Sequence, residues 1–195
     1  MKTTETETPA EPSPLVPAVG LPTERKKLLT KMFKGLDCFV GTDKTRAQLT
    51  HAFIPNRASA EATDGHCAVR FINYSDNGHG LEPGYYLPRQ ALAQLAADQM
   101  PTPIKRPDAW TWPTLDMVVP SVPYPADESL IEHTLLGAKL VGRIMDGIAL
   151  LLSPWNSDPA VKVWTPTDEH SPVRYDAGES QVAAVTAVLM PRRRD

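Results

Sequence analysis

Long hydrophobic runs are absent from this sequence. No stretch approaches the roughly 18 to 20 uninterrupted apolar residues of a membrane span, and no basic region leads into an apolar one near the N-terminus. The expectation is a cytoplasmic protein without a membrane partner. Cysteine is scarce: Cys38 and Cys67 are the only two, and neither stands in a CxxC-type arrangement, so reduced thiols with a structural role are expected. An excess of positive charge is also lacking. The formal net charge of −3 argues against nucleic-acid binding through the whole surface and leaves room only for a local basic face. His51, His66 and His79 match no standard metal-ligand spacing and have no carboxylate cluster beside them, so neither a metal nor a cofactor is expected.

What the chain does have is enough apolar content, 42% over 195 residues, for one large domain or two small ones. Residues 1–22 hold five prolines with several Thr and Glu and little to bury, the composition of a disordered tail. Thr23 is suited to be an N-cap, and Leu28, Leu29, Met32, Phe33 and Leu36 follow at helical spacing. The other face of that helix carries Arg25, Lys26, Lys27, Lys31 and Lys34. Such a face is either simply solvated or set against phosphates.

Strands are predicted over 46–54, 58–62 and 67–73, with Pro55-Asn56 and Asp64-Gly65 as turns and 75–80 as a loop. Pro88 is suited to the first helical position, and Ala91, Leu92, Leu95 and Ala96 give a short amphipathic helix. A proline-rich connector follows over 101–125, with Trp110 and Trp112 as anchors. A longer helix is predicted over 129–151. It carries one apolar stripe of Leu136, Leu140, Val141, Ile144, Met145 and Ile148, and has Lys139 and Arg143 four apart on another face. Gly137, Gly142 and Gly147 weaken it by roughly 1 kcal/mol each against Ala, which points to close packing. Strands over 160–165, 172–175 and 182–190 close the chain. A helix followed by three antiparallel strands thus occurs twice, an α+β pattern.

The stretch Ala62-Thr63-Asp64-Gly65-His66 is turn chemistry between two strands: glycine takes positive φ freely and aspartate bonds its own backbone. It also resembles the Ala-Thr-Asp-Gly-His motif in the middle domain of the bacterial DNA polymerase III β subunit, the DNA sliding clamp. Three further segments resemble that family in the same order: Gly84-Tyr85-Tyr86-Leu87-Pro88-Arg89-Gln90-Ala91-Leu92, the connector from Trp112-Pro113 to Val118-Val119-Pro120, and the terminal run Val188-Leu189-Met190-Pro191. The similarity extends from about Lys27 to Pro191.

The resemblance implies a shortened DNA-clamp fold in two pieces. Residues 23–121 would form a unit like the middle domain plus connector, and 122–195 a partial unit like the end of the last domain. In the family, rings of six domains encircle duplex DNA and tether a polymerase, so DNA, replication proteins and further copies of this chain are the implied partners. Three candidate helices per chain would need roughly four copies to line such a ring. Arg25, Lys26, Lys27, Lys31, Lys34, Lys139 and Arg143 would face DNA. The family's pocket for short linear motifs maps onto Leu49, Thr63, Gly65, His66, Pro113, Val118, Val188, Met190 and Pro191. Cys67 replaces the arginine usual after the motif histidine, Met117 stands where arginine is common, and Arg192 replaces an apolar residue, changes that would shift peptide preference. The alternative within the same resemblance is a clamp-derived peptide-binding module that does not encircle DNA. An enzyme using Asp64 to orient His66 as base would lack a nucleophile, a phosphate loop and a metal, so no catalysis is expected.

Overall fold

The structure, a computed structural model, describes residues 21–105, 107, 110–113, 115–117, 138–164, 172–179 and 182–190. The first helix, α1 (Thr23–Asp37), buries Leu29, Met32, Phe33 and Leu36 as their spacing predicts. Thr23 is its first helical residue rather than its cap. Pro22 holds the N-cap position, and no side chain bonds to the first turn.

Three strands follow: β1 (Ala52–Asn56), β2 (Ser59–Thr63) and β3 (Cys67–Asn73). The predicted strand over 46–54 is corrected in its first half, because residues Lys44–Thr50 form a 3-10 segment. Asp43 is the reason: its carboxylate accepts from the backbone N–H of Thr45 at 2.8 Å and from the Thr45 hydroxyl at 2.7 Å, an Asx turn that winds the chain instead of extending it. Pro55-Asn56 is likewise not the turn but the end of β1. Register shifts between Phe53 and Asn56, a place where a strand tolerates proline's missing N–H, and Asn56 then accepts from Ala58 and Ser59 to close the hairpin.

β4 (Gly84–Tyr86) pairs with the outer edge of β1, and α2 (Pro88–Ala96) starts on Pro88 as expected. The longer helix is described as α3 (Ala138–Leu152); its predicted start, with Leu136 and Gly137, lies outside the described residues. Ile144 and Ile148 are fully buried with Leu151 and Leu152, whereas Met145, expected in the stripe, is 39% exposed. β5 (Val161–Trp164), β6 (Val173–Glu179) and β7 (Ala183–Leu189) complete the order. β6 runs four residues beyond its predicted end, because Asp176 to Glu179 continue the ladder on β7.

All seven strands form one antiparallel sheet in the order β4-β1-β2-β3-β7-β6-β5. The two helix-plus-three-strand repeats expected from the sequence, α1-β1-β2-β3 and α3-β5-β6-β7, meet where their last strands pair, from Cys67↔Leu189 to Asn73↔Ala183. The units 23–121 and 122–195 therefore share one sheet and one core among their described residues. Ala60, Val69, Phe71, Tyr175, Val185 and Ala187 point to the same side as α1 and α3 and form a single buried cluster with them. Gly147 makes the helix crossing possible: a Cβ there would overlap Phe39 Cε2 and lie 3.2 Å from Cys38 Cβ. Both cysteines are free thiols, and no helix among the described residues is long and apolar enough to cross a membrane.

Candidate functional site

The motif turn is built by its own side chains. Asp64 Oδ1 accepts from the backbone N–H groups of His66 at 2.8 Å and Cys67 at 2.9 Å. Thr63 Oγ1 donates to Cys67 O at 2.8 Å and accepts from Gly65 N at 3.1 Å. Gly65 takes φ +87°, a conformation that costs other residues strain, and Leu49 Cδ1 would lie 3.6 Å from any Cβ placed there. Leu49, at the end of the 3-10 segment, is thus packed beside the turn and is only 8% exposed.

The far end of β7 is tied to the same place, since Met190 N donates to His66 O at 2.8 Å. Met190 is 37% exposed and the His66 side chain points largely into solvent. Val188 is fully buried on the sheet face away from the helices, in a small cluster with Ala68 and Leu115 of the connector. Leu49, Thr63, Gly65, His66 and Met190 therefore come together at one end of the sheet, with Val188 one step inward. Pro113 is exposed and follows Trp112, which stands over Phe53 and Tyr85; Val118 and Pro191 lie outside the described residues.

The Asp64 and His66 side chains are beyond hydrogen-bond distance of each other. Asp64 Oδ1 is 3.9 Å from His66 Nδ1, and its other oxygen accepts from Arg143 Nη2. Burial opposes ionisation of Asp64, but Arg143 and the two backbone N–H groups outweigh it and hold the carboxyl below the ordinary range. Arg143 also donates to Cys67 Sγ at 2.9 Å. Burial, with Asp64 adding to it, pushes the Cys67 thiol up to about 12. Such an environment favours the neutral thiol over the thiolate.

The predicted DNA-facing cations fall into two groups. Lys27, Lys31, Lys34 and Lys139 have no ion-pair partner among the described residues. Lys26 pairs with Asp98 at 2.9 Å, Arg25 donates to Gly80 O at 2.7 Å, and Arg143 is held by Asp64.

Sequence reasoning placed Trp110 and Trp112 as anchors of the connector but did not find what holds them. Trp112 Nε1 donates to Glu61 Oε2 at 2.8 Å, and Arg70 links Glu61 at 2.7 Å to Asp116 at 2.6 Å. Glu61 and Arg70 are cross-strand neighbours on the open face of the sheet, so alternation alone placed them opposite the helices. The groove between this network and the strands, about 530 Å³, is lined by Phe53, Ile72, Trp112 and Leu115. Among the described residues no group of three or more His, Cys, Asp or Glu is placed to hold a metal ion.

No family model matches the chain, and no curated protein does.

Proposed function

We propose that this chain is a DNA sliding-clamp-like protein, a polymerase processivity factor that assembles from several copies around duplex DNA and takes short linear motifs of replication proteins at the end of its sheet. The observation that carries the reading is the pairing of two helix-plus-three-strand repeats through β3 and β7, which leaves α1 and α3 side by side on one face. On that face Lys27, Lys31 and Lys34 supply unpaired positive charge without base-reading groups, as sequence-independent contact with phosphates requires. At the sheet's end, exposed Met190, tied to the His66 turn that packs on Leu49, offers the apolar anchor that a linear motif needs. With two helices per chain, α1 and α3, rather than three lining a ring, about six copies rather than four are needed.

A second reading, a peptide-binding module that does not encircle DNA, draws on the α3 side of the same face. Arg143 is engaged by Asp64 there and Asp146 is exposed, so α3 adds little net positive charge. Light scattering over a range of concentrations separates the two. A discrete oligomer of about six copies supports the clamp, and a monomer at every concentration supports the module.

A further inference from the structure

A cavity of about 630 Å³ lies away from both the motif turn and the connector, where the start of α1, the β1–β2 turn, the loop after β3 and the segment after α3 converge. Its volume falls within the range of small-molecule sites. Three cations line it, Arg25, Lys27 and Arg57, against one carboxylate, Glu24. Arg25 is fixed by Gly80 O at 2.7 Å and retains further N–H donors. Lys27 has no ion-pair partner among the described residues. Arg57 meets Glu82 at 3.3 Å with both side chains about two-thirds exposed, a surface pair that an arriving anion can replace at little cost.

The lining also has an apolar part. Pro154 and half-buried Trp155 form it, and the indole is stacked on Phe71 at 6.0 Å and 29°, so its orientation is fixed by the core. Asn77 adds an amide able to donate and accept at once. The first turn of the 15-residue α1 lies at the rim, where the helix dipole favours negative charge.

We propose that this cavity binds a nucleoside phosphate. The cations and the helix start would take the phosphate, the Trp155 wall the base, and Asn77 the base edge. Arginine pairs with phosphate through paired N–H groups, and aromatic rings take bases of any sequence by stacking. Inorganic phosphate would meet the cations alone, and a nucleoside only the wall. The site shares Lys27 with the face proposed to contact DNA and lies apart from the proposed linear-motif pocket.

Calorimetric titration of the full chain with ADP, adenosine and inorganic phosphate tests it. ADP is expected to bind with a dissociation constant below about 1 mM, and adenosine and phosphate each at least about tenfold more weakly. Arg57→Gln, which lies off the lysine face of α1, is expected to weaken ADP at least about fivefold while leaving DNA retention unchanged. Trp155→Leu should remove the preference for ADP over phosphate. Should that variant fail to fold, Asn77→Ala is expected to weaken ADP while leaving phosphate unchanged, and an equal loss for both would overturn the base assignment. Absence of ADP binding, equal affinity for ADP and phosphate, or an Arg57→Gln chain that binds ADP unchanged would overturn the proposal.

Discussion

Asp64, in the turn between β2 and β3, is joined to Arg143, 79 residues later on α3, by an ion pair from Nη2 to Oδ2. The pair links the two repeats at the end of the sheet where the motif turn sits. The Asp64 side chain is 10% exposed and that of Arg143 37%, so the contact is worth more than a surface pair and less than a buried one. Replacing Arg143 with Met is expected to cost about 1–2 kcal/mol in denaturant unfolding. Asp64→Ala, which also strips the His66 and Cys67 N–H groups of their acceptor, is expected to cost about 2–3 kcal/mol. A double-mutant cycle should return a coupling near the smaller figure.

Asp64 and His79 each contribute to the response to acid. Asp64 titrates below its ordinary 3.8 in the folded chain, so its contribution is fully present above that value and is lost as pH falls through the depressed folded value. His79 is 1% exposed; Leu81 N donates to its Nδ1 at 3.2 Å, so Nε2 carries the proton to Ser59 O at 3.1 Å. Burial, with the nearby Arg25 charge, lowers its pKa from 6.5. The unfolded chain therefore takes up a proton near 6.5 that the folded chain refuses, and stability falls as pH drops from 6.5 towards the folded value. His79→Gln is expected to be less stable at pH 7.5 and to show a flatter slope of unfolding free energy between about pH 7 and pH 5.

Two glycines of α3 should respond with opposite sign. Gly142 has nothing within 4 Å of a would-be Cβ, so Gly142→Ala is expected to stabilise by up to about 1 kcal/mol through helix propensity. Gly147→Ala would drive its methyl into Phe39 and is expected to destabilise by about 1–3 kcal/mol net. Thermal unfolding of the two variants side by side checks this.

That contrast marks how much was legible in the sequence. Helical spacing and apolar strand composition located α1, β2, β3, α2, the described part of α3 and β7, because the residues that form the core recur at those spacings. The 3-10 segment at Lys44–Thr50 was missed because a single carboxylate, Asp43, overrides an alternating pattern. The pairing of β3 with β7 joins residues more than a hundred apart and leaves no local signature, so two units were expected where one sheet runs through both. At the candidate site the turn chemistry of Thr63-Asp64-Gly65 was readable. Its dependence on Arg143 was not, since four-residue spacing with Lys139 suggested only a shared helix face.

The proposed linear-motif pocket is testable apart from DNA. Met190→Glu, at an exposed position, is expected to reduce affinity for a clamp-motif peptide by more than about tenfold with circular dichroism unchanged. Leu49 is buried, so a charge there would unfold the segment. Leu49→Ala is the usable variant, with an expected stability cost of about 2–3 kcal/mol and a weaker peptide complex. Fluorescence anisotropy of a labelled peptide reads both.

Reversal of Lys27, Lys31 and Lys34 to Glu should weaken DNA retention and lower the slope of log affinity against log salt by about two to three. A slope equal to that of the unaltered chain would mean that α1 does not face phosphates.

The most direct measurement of the clamp reading is retention on DNA of different topology: the protein is loaded on a nicked circular duplex, challenged with salt, and compared before and after one restriction cut. The account predicts that it stays on the closed circle and is lost on linearisation. Equal retention on circular and linear DNA, or none on either, would contradict it.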